Sequence, residues 1–358
     1  MFIWRRIFVI VILLLMTPLS IDATPNKCFS RGAGEIIGCL HDLSASLIAF
    51  DYDNDGDLDF LECSNFIYLY SNDKGYKEEL IYEFGPINEK EVNDTLVYGG
   101  LAVGDFNNDG YMDFIAGGLS GTIRLFINNH SEPLKPRFNV YRLTKFGQTA
   151  WGLTTADFNH DGLMDFAVSW ATCPLNYSRV TIFYNPGNLV FKEVDIYTLE
   201  DNYIEDIEAA DFDGDNDVDI LLTRNICIGG WIIAGEYSLL RNNGDGTFIE
   251  EEVNPFLRLL GSFGFNRVNP HIAIGDYDMD GDIDFLEGDN TGKVELFLND
   301  GIGRFTRTGV IHDFGSLSWG LASGDFDGDG DLDFIVSSTP VIGKGMGYIY
   351  LKHNIIIE

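Results

Sequence analysis

The stretch Asp325-Phe326-Asp327-Gly328-Asp329-Gly330-Asp331-Leu332-Asp333 decides the reading of this chain. Acidic side chains at its first, third, fifth and ninth positions can converge on one hard cation. Further copies start at Asp51, Asp105, Asp157, Asp211 and Asp276, at successive separations of 54, 52, 54, 65 and 49 residues. A period near fifty is the mark of a repeat architecture.

Lined up, the six copies give one ligand pattern. Position 1 is Asp51, Asp105, Asp157, Asp211, Asp276 and Asp325; position 3 is Asp53, Asn107, Asn159, Asp213, Asp278 and Asp327. Position 5 is Asp55, Asp109, Asp161, Asp215, Asp280 and Asp329, and position 9 is Asp59, Asp113, Asp165, Asp219, Asp284 and Asp333. Position 7 varies (Asp57, Tyr111, Leu163, Asp217, Asp282, Asp331), as expected where only a backbone carbonyl is used. Position 6 is Gly in five copies and Asn216 in the fourth, the residues that most readily let a chain curl around an ion. Oxygen donors in a flexible loop suit calcium, up to six ions in all; magnesium demands stricter geometry, and zinc favours nitrogen or sulfur. An EF-hand would need Glu at position 12, which reads Glu62, Ala116, Val168, Leu222, Glu287 and Val336. Strand formers follow instead of a helix.

Around each loop the same elements repeat. A short strand with small residues near its end precedes it, as in Leu101-Ala102-Val103-Gly104, and a second follows, as in Phe334-Ile335-Val336-Ser337. A third strand (Lys293 to Leu298) leads to a turn at Asn299-Asp300-Gly301-Ile302-Gly303, and Phe305 opens a fourth. Position 2 is aromatic in every copy and position 10 is Phe in five, with Ile220 in the other. Both are expected to pack one unit on the next. Four antiparallel strands repeated radially describe an all-β propeller, of six blades or, with one blade built from the two termini and lacking a loop, of seven. Residues 24 to 46 are expected to pair with the last blade, with Ile355-Ile356-Ile357 the other source of its fourth strand.

Phe146-Gly147 and Phe314-Gly315, followed by Trp151-Gly152-Leu153 and Trp319-Gly320-Leu321 and then the loop, resemble the FG-GAP and VCBS repeats of integrin α-subunit propellers and of many secreted proteins. The resemblance covers roughly residues 40 to 350. It implies a calcium-loaded propeller; the functions it spans run from adhesion and lectin-like binding to propellers attached to polysaccharide lyases.

Composition bounds the partners. With 56 acidic and 23 basic residues the formal charge is −33, which disfavours nucleic acid and anionic membranes by repulsion. Arg5 and Arg6 before the apolar run Ile7 to Met16 read as a secretory signal over residues 1–23, leaving a propeller over 24–358. The expected location is extracellular, at the cell surface, or periplasmic in a Gram-negative host, with no membrane insertion of the mature chain. Five cysteines then permit disulfides, Cys173 with Cys227 as the preferred pair and Cys28 with Cys39 second; Cys63 is the fifth.

No catalytic or cofactor-binding residue is assigned. The six histidines are scattered and no GxSxG, P-loop or HExxH occurs. The expected function is a binding or adhesion module for carbohydrate or extracellular protein, with calcium mainly structural; the competing reading is a lyase-like carbohydrate-active enzyme using an open calcium site. Trp151 and Trp319, with Tyr98 one step off register, could stack on sugars or pack at the blade base. Ile226 to Glu236 and Asn254 to Asn269, the insertions of the 65-residue repeat, are the expected places for recognition.

Overall fold

Each Asp-rich loop joins the first two strands of one four-stranded blade, and six such blades form a ring. The computed structural model describes residues 35–40, 46–84, 100–118, 121–130, 137–145, 148–171, 177–200, 202–228, 231–253, 271–289, 291–315, 317–339 and 347–353.

Blade one is β2 (Ser46–Phe50), β3 (Asp59–Cys63), β4 (Phe66–Asn72) and β5 (Tyr76–Glu83). Blade two is β6 (Leu101–Gly104), β7 (Asp113–Ala116), β8 (Thr122–Asn128) and β9 (Phe138–Lys145). Blade three is β10 (Thr149–Ala156), β11 (Asp165–Ala171), β12 (Tyr177–Tyr184) and β13 (Lys192–Glu200). Blade four is β14 (Asn202–Ala210), β15 (Asp219–Ile228), β16 (Trp231–Asn242) and β17 (Phe248–Val253). Blade five is β18 (His271–Gly275), β19 (Asp284–Gly288), β20 (Lys293–Asn299) and β21 (Phe305–Asp313). Blade six is β22 (Leu317–Gly324), β23 (Asp333–Thr339), β24 (Tyr348–Lys352) and, from the other end of the chain, β1 (Glu35–Cys39).

The termini therefore do share a blade, but it is the one that carries the loop at Asp325. Six blades stand, and the seven-bladed alternative falls. β1 pairs antiparallel with β24, from Glu35 opposite Leu351 to Cys39 opposite Tyr348. Residues 355–357 lie outside the described residues. The first strands of successive blades pack on one another around the axis, and β22 packs back on β2.

The aromatic positions do the packing expected of them. Position 10 rings are fully buried and stack on a third-strand ring of their own blade: Phe114 on Phe126 at 4.3 Å, Phe166 on Phe183 at 4.5 Å, Phe285 on Phe297 at 4.5 Å. Position 2 rings cross to the next blade, Phe106 meeting Phe166 edge-on at 6.1 Å and Phe212 meeting Phe305 at 5.8 Å. Each such burial contributes roughly 1.5–3 kcal/mol. The small residue before position 1 has an equally local reason. A Cβ added at Gly324 would lie 2.4 Å from Cδ1 of Leu58, the position 8 side chain of the neighbouring loop, and one at Gly104 would lie 2.5 Å from Cγ of Met164.

The insertion at Ile226 to Glu236 lengthens β15 and β16 to 10 and 12 residues, so it continues the sheet as a paired hairpin. The insertion from Asn254 to Asn269 lies outside the described residues, as do Cys28, Cys173, Tyr98 and the segment read as a signal. For Cys39, Cys227 and Trp319 only the backbone is described; Cys63 is a buried free thiol.

Candidate functional site

All six loops are shaped alike by their own backbone hydrogen bonds. In loop two, Asp105 accepts from the N–H of Asp109 at 3.0 Å and of Gly110 at 2.8 Å, and Asp109 accepts from Tyr111 N–H at 3.0 Å. The same bonds recur in loop six, where Asp325 accepts from Asp329 and Gly330 and Asp329 from Asp331. Two residues per loop sit in the left-handed region. One is position 6, from Asn216 at φ 71° to Gly281 at φ 99°. The other, position 4, had not been expected: Asn54, Asn108, His160, Gly214, Met279 and Gly328 lie between φ 57° and 78°.

Position 9 is the anchor. Its Asp is 0–2% exposed in every loop, and its Oδ2 accepts the N–H of the position 2 aromatic, at 2.8 Å for Asp59 and 3.2 Å for Asp219. In five blades Oδ1 accepts the N–H of an Asn at or just past the end of the third strand: Asn72, Asn128, Asn185, Asn242 and Asn299, at 2.7–2.8 Å. Burial pushes the carboxyls of Asp113 and Asp219 up to about 7 and those of Asp59, Asp165 and Asp284 to about 6. The two N–H donors oppose that rise, and nearby loop carboxylates add to it.

These asparagines do a second job that sequence reasoning missed. Asn128 Nδ2 donates to the carbonyl of Tyr52 in loop one at 3.0 Å, Asn185 Nδ2 to Phe106 in loop two at 2.9 Å, and Asn299 Nδ2 to Phe212 in loop four at 2.9 Å. Each also reaches the position 8 carbonyl of its own loop, at 3.2–3.3 Å. Loops one and two, two and three, and four and five are thereby each joined through one side chain. A signal is present in the sequence, an Asn at the third-strand end of every blade but the last, of which the sequence reading uses only Asn299, as the start of a turn.

The donor sets suit a hard cation. One oxygen each from Asp51, Asp53 and Asp59 lie within 4.8 Å of one another, as do those of Asp211, Asp213 and Asp219 and of Asp276, Asp278 and Asp284. Loop six brings together Asp325, Asp327 and Asp329, and also Asp327, Asp333 and His353. In loops two and three the amides of Asn107 and Asn159 turn Nδ2 to Asp109 and Asp161, at 2.9 and 3.0 Å, while Oδ1, a neutral oxygen, accepts the N–H of the same residue at 3.0 Å. Asp57 Oδ1 is enclosed and meets no hydrogen-bond donor.

One seam differs. Asn242 Nδ2 reaches only its own loop, at Val218 O, and between blades three and four a cleft of about 460 Å³ opens beside loop three. Asn159, Asp161, Tyr184, Asn185, Lys192 and Gly246 are among its lining residues. His160 Nε2 spans this seam to Asp217 Oδ1 at 3.0 Å.

At the strand ends remote from the loops, a second cluster gathers on the inner strands of blades three to five. The half-buried Trp151 ring lies 6.1 Å from Tyr203. Glu205, 4% exposed, accepts from Asn225 Nδ2 at 2.8 Å; burial raises its carboxyl to about 7, and nearby His271 and a hydrogen bond from Tyr203 pull against that. His271 Nδ1 lies 3.6 Å from Asp206. Burial alone would lower the His271 pKa, but the bond to Asp206 and the charges of Asp206 and Glu205 raise it. Trp151 stands out in the sequence by its place before the loop, but these residues span 120 positions from Trp151 to His271, so no local motif groups them.

Comparison with known proteins bears on the repeat and the fold. Residues 105–168, from loop two through loop three, and 276–336, from loop five through loop six, match the FG-GAP-like repeat family. No curated protein matches the chain in sequence. Among solved structures, a triple arginine-to-alanine mutant of AofleA from Arthrobotrys oligospora superposes with a TM-score of 0.53 at 10% identity, over 90% of this chain and 85% of that one. An Agrocybe aegerita lectin, described as recognising non-reducing terminal N-acetylglucosamine, gives a TM-score of 0.48 at 18% identity, over 86% of this chain and 80% of that one.

Proposed function

We propose, for a β-propeller built of FG-GAP-like repeats, that the loops hold calcium chiefly as structural ions and that the ring they brace is an exported binding module for carbohydrate or protein ligands. The observation that carries this is the Asn bridge: a loop that holds an ion also holds, through Asn128, Asn185 or Asn299, the loop of the neighbouring blade. An ion in one loop then stiffens two blades. With the affinity of extracellular modules, about 0.1–1 mM, millimolar calcium would stabilise the fold by roughly 0.4–1.4 kcal/mol per site, or about 2.5–8.5 kcal/mol over six. That is comparable to the whole net stability of a typical domain, some 5–15 kcal/mol.

The binding half rests on the face away from the loops. Trp151 offers a half-buried amphipathic ring suited to the apolar face of a sugar, beside the buried Tyr203, which is hydrogen-bonded to the buried Glu205. A second reading, a carbohydrate-active enzyme with an open calcium site, is favoured by the cleft beside loop three, where Asn159 and Asp161 border it together with Lys192. One experiment separates the two. The purified chain and its Trp151→Ala variant are tested for retention on immobilised glycans and matrix proteins in millimolar calcium, and each ligand is examined for cleavage. Retention without cleavage, weakened by Trp151→Ala at unchanged melting temperature, is the expected result. Cleavage products would overturn it in favour of the enzyme, and binding indifferent to Trp151 would remove the proposed face.

A further inference from the structure

In loop six an imidazole faces two carboxylates of the same loop. His353 follows β24 directly, and its Nδ1 lies 3.2 Å from Asp327 Oδ2 and 3.2 Å from Asp333 Oδ2. In blades one to five the residue that closes over position 9 from the third strand is an Asn, which offers only an N–H to that carboxylate. Other histidines near the loops make a single approach each: His130 Nε2 lies 3.6 Å from Asp109, and His160 Nε2 lies 3.0 Å from Asp217 of the neighbouring loop. His353 alone among these faces two carboxylates of one loop.

We propose that loop six is a mixed site, in which His353, Asp327 and Asp333 hold a borderline divalent metal of the zinc class in preference to calcium. Imidazole nitrogen with two carboxylates is a donor set for zinc-like ions, whereas calcium takes oxygen. Two ligands at 2.0–2.1 Å from a tetrahedral ion stand about 3.3 Å apart, close to the spacing on both sides of Nδ1. Asp333 is fully buried, and Asp327 is shared with the Asp325 and Asp329 oxygens. The metal therefore sits at the inner edge of the loop, where the blade that joins the two ends of the chain is closed. The proposal rests on the reading that these loops hold cations, and it changes the identity of one.

The test uses the full chain purified without a histidine tag, stripped by chelator and returned to millimolar calcium. Co²⁺ is then titrated in as the probe, followed by its visible ligand-field absorption and by calorimetry, for the wild type, His353→Asn and His353→Ala. One Co²⁺ should bind against excess calcium with a nitrogen-coordinated spectrum, and both variants should weaken it by at least ~10-fold, the loss carried even by an outer partner of a metal ligand. Calcium should still raise the melting temperature of both variants, which shows that they fold and that the structural-ion reading stands by itself. Co²⁺ binding unchanged in His353→Asn, or no uptake of Co²⁺ against calcium, overturns the proposal. Absence of any calcium effect on melting would instead sink the structural-ion reading.

Discussion

Replacing Asn185 by Ala isolates the bridge between neighbouring loops. Asn185 is 1% exposed, and its Nδ2 satisfies the carbonyls of Phe106 and Met164 at 2.9 and 3.2 Å. Its Oδ1 also accepts Gly187 N–H at 3.0 Å. Truncation strands two buried acceptors, each at a cost of about 1–3 kcal/mol, so a total of ~2–6 kcal/mol is expected. For a chain of this size that lowers the melting temperature by roughly 4–8 °C. Asn72 supplies the control, since its side chain accepts only an exposed Gly75 N–H at 3.4 Å. Asn72→Ala should stay within ~0.5 kcal/mol of wild type. Asn242, bonded to Val218 but to no neighbouring loop, should fall between. Urea denaturation of the three variants in saturating calcium reads the series. Equal losses for Asn185→Ala and Asn72→Ala would refute the reasoning.

Two further perturbations follow from the loops. Met279 holds φ 59° with its side chain 63% exposed, a conformation that Asn54 and Asn108 adopt at the same loop position, so Met279→Asn should stabilise by ~0.5–1 kcal/mol, seen as a higher urea midpoint. Folding without metal raises the carboxyls of Asp59, Asp113, Asp165, Asp219 and Asp284 from 3.8 to about 6–7, so the metal-free fold holds more protons than the unfolded chain across that interval. The stability this brings is complete below about pH 4 and lost as pH rises through about 6–7. In chelator the urea midpoint should therefore drop between pH 5 and pH 7.5, and millimolar calcium, which favours the ionised carboxylates, should abolish or reverse the drop. A midpoint in chelator that rises over the same interval would contradict the burial of these carboxyls.

Much of the fold could be read from the chain because one backbone device is repeated six times. Position 9 must be Asp to accept two N–H groups at the root of the loop, and positions 2 and 10 must be large and apolar to fill the space between blades; both constraints are visible as columns. Position 4 was harder, since a left-handed residue can be Asn, His, Gly or Met and only the backbone shows that His160 and Met279 share the conformation of Gly214 and Gly328. The fourth strand of the last blade was legible only as an expectation, because β1 and β24 are more than 300 residues apart and pairing between them leaves no local pattern. The bridging asparagines hid inside turn-like sequences. Trp151, Tyr203, Glu205 and His271 gather only because β10, β14 and β18 are inner strands of consecutive blades, a neighbourhood that exists once the ring is closed.

Calcium content bears most directly on the whole account. The stripped chain, dialysed against millimolar calcium and then analysed for bound metal, is melted with and without chelator. Five to six ions per chain, with a melting temperature at least several degrees higher in calcium, is the predicted result; one ion or none, and a melting temperature indifferent to chelation, would contradict it.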